Sequence, residues 1–367
     1  MKIAYDNQIF NMQAYGGISR YYTELADQLY HNCEDVKVYA GLHRNNYIDK
    51  VSNNLVIGSK INYLPKSASL LLMLNSQVAN INMKKWKADI VHRTYYNKST
   101  KIKSAMNVIT VYDMIHELFP EDFSKKDGTS YLKEKAIKKS DHVICISEST
   151  KKDLIKVLNI PEDKISVVHL GYHANKNLKN KVLSRNKIYL DRPFLLFVGA
   201  RGGYKNFKGM IEAISTSKAL MQDFNIVAFG GGDFNAAEKN NIRELGFCST
   251  QVLNIQGGDD ILSTLYEKAT LFIYPSLYEG FGLPPLEAMN HNCPVVCSNT
   301  SSIPEVVGAA ALMFSPHDID SIRQSIEKVV YDTEMQRDLI NKGLIRIEKF
   351  SWEKCSVDTL EVYKSII

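Results

Sequence analysis

The chain has 367 residues, a length that suits two domains better than one. Apolar residues make up 45% and charged residues 23%, ordinary values for a globular protein with sizeable cores, which excludes a disordered or fibrous chain. The net charge of +5 is uneven, because residues 1–183 hold 27 basic and 18 acidic residues while the remainder holds 18 and 22. Neither the opening MKIAYDNQIF nor any later stretch has the apolar length of a signal peptide or a membrane-spanning helix. The cysteines Cys33, Cys145, Cys248, Cys293, Cys297 and Cys355 are scattered, without CxxC pairs or histidines at metal-binding spacing, and read as reduced thiols of a cytosolic protein.

Short apolar, β-branched runs predict strands in KIAYD, VKVYAG, ADIVHR, NVITVYD, HVICIS and ISVVHLG. Amphipathic helical spacing lies between them, as in ISRYYTELADQLY. The stretch from Lys60 to Lys87 carries five lysines, no acid and the run LLLML. It reads either as a core helix with a solvated lysine face or as a basic apolar segment lying on an anionic membrane. Nucleic acid is not expected, since no binding motif accompanies the charge. After the polar stretch 175–193 the strands resume in FLLFVGA, FNIVAFGG, QVLNIQG, TLFIYPS, CPVVCSN and AALMF, with a helix predicted in NFKGMIEAIST. Near-continuous apolar runs alternating with helices predict parallel sheets covered on both faces. A dozen strands are too many for one comfortable sheet, so two α/β domains are expected, 1–183 and 184–351. Ligands of such folds bind beyond the C-terminal ends of strands.

Two stretches in the second half could carry chemistry there. In SLYEGFGLPPLEAM, Pro284 and Pro285 suit a first helical turn, which places the amides of Phe281, Gly282 and Leu283 at a helix N-terminus, where a phosphate binds well. Glu279 precedes the turn, and Glu287 is placed in the first turn of the helix. Both carboxylates could accept hydrogen bonds from sugar hydroxyls. The plainer reading is that Glu287 complements the helix dipole and Glu279 is a solvated loop acid. In VGARGGYKNF, Arg201 and Lys205 flank a Gly-Gly turn at a strand-to-helix corner. Such a pair can clamp a diphosphate, or can simply be surface cations at a turn. Asp259 and Asp260 read as a helix cap, Thr150-x-x-Asp153 has capping-box character, and GGGD at 230–233 reads as a turn.

Together these stretches resemble the retaining glycosyltransferases of family 4, which have the GT-B fold: two Rossmann-like domains whose parallel sheets face across a cleft. Residues 276–289 look like the family's E-x7-E motif. VGARGGYKNF is similar to its diphosphate-binding Arg/Lys segment in bacterial polysaccharide enzymes of the O-antigen mannosyltransferase type. AYGGISRYYTEL resembles its N-terminal glycine loop, with Gly16 and Gly17 at the cleft. VYDMIHELFPEDF, HVICISESTKKDL, SSIPEVVG and SWEKCSVDTLEVYK extend the resemblance nearly end to end. It implies that Glu287 binds the nucleotide ribose and Glu279 the donor sugar. It further implies that Arg201 and Lys205 hold the diphosphate beside the 281–283 amides, and that Gly258 lies near the base. The implied front-face mechanism lets the departing phosphate oxygen help deprotonate the acceptor, so neither an enzymic nucleophile nor a metal or other cofactor is needed. The last helix, 352–367, is expected to cross back to the N-terminal domain. One departure stands out: Tyr112 occupies the position where many members carry a histidine, leaving Tyr112, Asp113 or His116 to take that role. His92 and Tyr95 are candidates on the acceptor side. For His92 and His116 a core or loop role stands beside the functional one.

The expected activity is transfer of a hexose, first mannose from GDP-mannose, from a nucleotide sugar to a glycan or lipid-linked saccharide in surface polysaccharide synthesis. UDP-glucose, UDP-galactose and deoxysugar nucleotides stay open as donors. The expected place is the cytoplasm, at the inner face of the membrane, where the basic N-terminal half would meet anionic lipid. Two other readings are a nucleotide-sugar epimerase of the same fold and a non-catalytic subunit that binds sugar nucleotides.

Overall fold

A computed structural model describes residues 1–32, 34–52, 54–62, 68–97, 100–172 and 192–367. The boundary expected at residue 183 and Cys33 both lie outside the described residues. The chain divides into two compact units. The first comprises Met1–Leu118, Phe123–Gly171 and Phe350–Ile367, and the second Phe119–Asp122 and Tyr172–Lys349.

The N-terminal unit holds seven strands: β1 (Lys2–Tyr5), β2 (Asp35–His43), β3 (Val56–Lys60), β4 (Ile90–Arg93), β5 (Met106–Val111), β6 (His142–Cys145) and β7 (Ile165–Val167). They form one parallel sheet in the order β3-β2-β1-β4-β5-β6-β7. Every residue of β4 and β6 is buried, as expected for strands covered on both faces. Strand β3 is announced by no apolar run. It is the sheet edge, and four of its five residues are exposed, so no buried stripe marks it. The predicted helix over 18–30 is Gly17–His31. Ser147, whose hydroxyl accepts the Thr150 amide, caps the helix Glu148–Leu158, three residues before the expected capping box.

The helix Trp352–Ser365 belongs to this unit and packs along Gly17–His31. Its Tyr363 hydroxyl lies 3.1 Å from that of Tyr5 and 2.5 Å from Nδ1 of His92. Backbones meet closely at Gly171, where a Cβ would stand 2.5 Å from Cα of Trp352. Only glycine fits such a contact.

The second unit holds β8 (Phe194–Val198), β9 (Asn225–Phe229), β10 (Val252–Ile255), β11 (Leu271–Tyr274), β12 (Val295–Ser298) and β13 (Leu312–Phe314) in a parallel sheet ordered β10-β9-β8-β11-β12-β13. Its core gathers Leu195, Phe197, Ile226, Ile273 and Val296 from the sheet with Met210 and Ile214 from the helix Phe207–Ser215. Each such side chain contributes about 2 kcal/mol on burial. Both sheets are Rossmann-like, with strand order reversing between β1 and β4 and between β8 and β11. Loops that leave the strands at such a reversal splay apart and open a crevice.

Among the described residues no helix is long and apolar enough to cross a membrane. Cys145, Cys248, Cys293, Cys297 and Cys355 are free thiols.

Candidate active site

The strands β8 and β11 lie side by side, with Leu195 opposite Leu271 and Leu196 opposite Phe272. Their C-terminal ends therefore deliver VGARGGYKNF and SLYEGFGLPPLEAM next to each other at the strand-order reversal of the second sheet. A backbone bond and a side-chain bond join the two stretches. The Leu277 amide donates to the Tyr204 carbonyl at 2.7 Å, and the Asn206 side chain donates to the Pro275 carbonyl at 3.1 Å. At their junction the Lys205 ammonium donates to Oε1 of Glu279 at 2.7 Å. Both side chains are mostly buried, 18% and 9% exposed, so each is the other's counter-charge.

Several neighbours fix this pair. The Lys205 ammonium stands 5.2 Å from the Tyr204 ring and 5.9 Å from that of Tyr274. Desolvation, followed by the nearby Glu279 charge, pushes the Tyr274 hydroxyl well above its ordinary value, so it stays protonated. Ser301 accepts the Glu279 amide at 2.9 Å, and the Ser302 hydroxyl donates to the carbonyls of Glu279 and Phe281 at 2.8 Å each. The helix Leu283–Asn290 then begins at Gly282, whose φ of +117° a side chain would strain. Pro284 and Pro285 carry no N–H, so the amide donors of this helix start are concentrated just before them. A buried cation, a carboxylate and a helix N-terminus can together hold an anionic group beside hydroxyl groups.

Glu287 is the fifth residue of that helix, so it sits in the second turn and not the expected first. It is half-buried, and the Tyr266 hydroxyl donates to its carboxylate at 3.2 Å. Gly258 caps the helix Asp259–Lys268, and the two aspartates expected to cap it are instead its first residues, where their charge complements the dipole.

Arg201 has a different place from the one expected. Its guanidinium donates to the carbonyls of Gly230, Gly231, Gly232 and Asp233 and to both oxygens of Glu238. Its side chain is 3% exposed. All five N–H donors are thereby used within the chain, and this arginine braces the Gly230–Asp233 turn. Burial opposes ionisation of Glu238, but the Arg201 hydrogen bond, the Asn235 amide and the guanidinium charge outweigh it and lower the carboxyl pKa.

The remaining candidates belong to the N-terminal unit. Gly16 caps the helix Gly17–His31, and Gly17 has open space where a Cβ would stand. Tyr112 and Asp113 follow β5. Tyr112 is buried edge-on to Tyr21, and Asp113 is held by the buried Lys133, which donates to its carbonyl at 2.9 Å and to Glu117 at 2.8 Å. His116 stacks on Phe123 at 3.9 Å and faces Asp127 at 3.8 Å. Tyr95 is half-buried beside Tyr96. His92 is a core residue, which corrects its candidacy as an acceptor ligand. It is fully buried among Tyr363, Thr110 and Tyr22, and desolvation lowers its pKa to about 3.

Sequence reasoning passed over Ser301 and Ser302, Tyr266, Lys133 and Glu238. It also passed over Asp122, whose carboxylate accepts the Tyr204 amide at 2.9 Å. Each acts from a loop or helix remote in sequence from its partner. The only available signal was the SSIPEVVG stretch, which contains the two serines.

Comparison with known proteins agrees with this architecture. The family model "Glycosyltransferase Family 4" matches residues 15–176, and "Glycosyl transferases group 1" matches residues 179–345. The chain is 26% identical to the O-antigen chain mannosyltransferase B of Escherichia coli, over 95% of this chain and 96% of that protein. It is also 25% identical to the alpha-maltose-1-phosphate synthase of Mycolicibacterium smegmatis over the full length of both. Among solved structures, sucrose-phosphate synthase of Thermosynechococcus elongatus superposes with a TM-score of 0.73 at 17% identity, covering 100% of this chain and 99% of that one. Anabaena Alr3699/HepE, solved in complex with UDP and glucose, superposes with a TM-score of 0.71 at 17% identity over the full length of both. Two family models that divide nearly the whole chain between them, on two Rossmann-like sheets, establish that it belongs to the family 4-like GT-B glycosyltransferases.

Proposed function

We propose that the chain is a retaining hexosyltransferase that carries mannose from GDP-mannose to a glycan or lipid-linked saccharide, without a metal. The observation that carries this reading is the mostly buried Lys205–Glu279 pair, set beside a helix start at the strand-order reversal of the second sheet. A diphosphate entering there competes with Glu279 for Lys205. Lys205 and the amides before Pro284 then stabilise the charge that grows on the leaving phosphate as the sugar–oxygen bond breaks. A donor of this kind is commonly worth a factor of about 10² to 10³ in rate. Glu279, partly released from its lysine, accepts hydrogen bonds from the donor sugar, while Glu287 accepts those of the ribose. The acceptor oxygen attacks from the face the diphosphate leaves, and its proton passes to the departing phosphate oxygen. The full-length likeness to an O-antigen mannosyltransferase supports mannose as the sugar.

The test is turnover of GDP-mannose with a mannose-terminated acceptor in EDTA, with the anomeric configuration of the product read by NMR. The expected product is the α-mannoside, the configuration of the donor. A β-linked product would remove the retaining mechanism. Donor epimerised without acceptor would replace transferase by epimerase. Tight nucleotide binding with neither transfer nor hydrolysis would make the chain a binding subunit.

A further inference from the structure

Four residues, Phe119–Asp122, belong with the second unit, although the chain before and after them belongs to the first. They meet the two site stretches at two points, and each point lies one residue before a member of the Lys205–Glu279 pair. The Asp122 carboxylate accepts the amide of Tyr204, which precedes Lys205, at 2.9 Å. The Phe119 ring lies 5.8 Å from that of Tyr204 and 6.0 Å from that of the buried Tyr278, which precedes Glu279. The Tyr204 ring in turn flanks the Lys205 ammonium at 5.2 Å.

The turn Gly203–Lys205 that carries the lysine is short and conformationally demanding. Gly203 and Asn206 both have a φ of +55°, which for Asn206 is a sparsely populated conformation that its surroundings must hold. One set of bonds ties the turn to the loop after β11: the Tyr204 carbonyl accepts the Leu277 amide, and the Asn206 side chain donates to the carbonyls of Pro275 and Pro316. The first amides of a helical turn lack acceptors in the turn itself, and Asp122 supplies one. The fit depends on Gly203, where a Cβ would run into the Asp122 carboxylate. We propose that Phe119–Asp122 is a clasp that sets the position of Lys205, with Asp122 a positioning residue that acts through the Tyr204 amide. The clasp rests on the reading of Lys205 as the cation that meets the leaving diphosphate. Asp122 is exposed, so its replacement leaves the core intact.

The test compares the parent with Asp122→Ala, Asp122→Asn, Lys205→Ala and the double variant Asp122→Ala/Lys205→Ala. Turnover of GDP-mannose is measured, or of UDP-glucose where GDP-mannose is inert, with hydrolysis counted as turnover. Asp122→Ala is expected to lower kcat about tenfold or more and to change the donor KM less than about threefold, because misplacing a group by ~1 Å can cost about 10² in rate. Asp122→Asn keeps a carbonyl oxygen for the Tyr204 amide and should recover most of that rate. In the double variant the Asp122 substitution should cost nothing beyond Lys205→Ala, since two residues that act through one group are not additive. Thermal unfolding of Asp122→Ala should match the parent. An unchanged kcat in Asp122→Ala, an equal loss in Asp122→Asn, or a fully additive loss in the double variant would overturn the clasp and leave the donor site standing. A parent without turnover, or Lys205→Ala with parental turnover, would instead remove the reading of the site, and the clasp with it.

Discussion

Lys205 and Glu279 neutralise one another in a mostly buried setting, and that determines how each substitution acts. Lys205→Ala leaves a buried carboxylate without its cation, so a loss of about 3 kcal/mol of stability is expected along with lost diphosphate binding. Glu279→Gln keeps an acceptor for Lys205 and removes the charge. Nucleotide affinity is expected to change little while kcat falls by about 10². Glu287→Ala should act on the other quantity, raising the nucleotide Kd roughly tenfold through loss of a charged hydrogen-bond acceptor, with a smaller effect on kcat. Titration and initial-rate measurements on the three variants separate these outcomes, and negligible effects from both acid substitutions would return the acids to structural roles. The two stretches were legible because strand, glycine turn and proline-started helix follow one another in the sequence, but the ion pair between them was not, since the sequence groups Lys205 with Arg201 and Glu279 with Glu287. Nor was the place of Arg201. Its partners, Gly230 to Asp233 and Glu238, lie 29 to 37 residues away, and only the approach of the β9 loop to the β8 loop shows that its donors are taken.

Strands were legible where an apolar run marks them, even at the sheet edges β7, β10 and β13, and obscure where none does. All twelve apolar runs became strands, whereas β3, exposed along most of its length at the sheet edge, left no apolar pattern. The helix Ala68–Trp86 misled for the converse reason. Hydrophobicity implied a buried apolar face with lysines in solvent, and Ala79 and Met83 are buried in that way. Hydrogen-bonded Asn75, Ser76 and Asn80 share the inward side, however, while Leu70, Met73, Leu74, Val78 and Ile81 are exposed. The terminal helix depends on one close contact. Gly171→Ala would place a methyl 2.5 Å from the Trp352 backbone, which has no flexible end to yield. The expected cost is about 2 kcal/mol or more. Trp352 is 6% exposed, so its fluorescence should shift to the red at lower urea than in the parent. An unchanged transition would mean that the helix is held without that contact.

At the scale of the whole molecule, the division into two Rossmann-like units followed from the strand count and the polar stretch 175–193, while the pH response did not, because it depends on which histidines are buried, His92 most completely. Burial lowers the His92 pKa from 6.5 to about 3, so below pH 6.5 the unfolded chain takes up a proton that the folded chain refuses. The stability tied to this group is complete above pH 6.5 and is lost as the pH falls toward 3, by about 1.4 kcal/mol per pH unit. The urea midpoint should therefore drop between about pH 6.5 and pH 5.5 and drop less in His92→Gln, and equal slopes would show that another group governs the transition. The claim that the second unit is a metal-independent nucleotide-sugar site is tested most directly by calorimetric titration of GDP, UDP and dTDP in EDTA, into the parent and into Lys205→Ala and Glu287→Ala. The expected result is metal-free binding of GDP that both substitutions weaken by roughly tenfold or more. Preference for UDP or dTDP would keep the site and remove GDP-mannose, whereas failure of all three to bind the folded protein, or binding that survives both substitutions, would contradict the site itself.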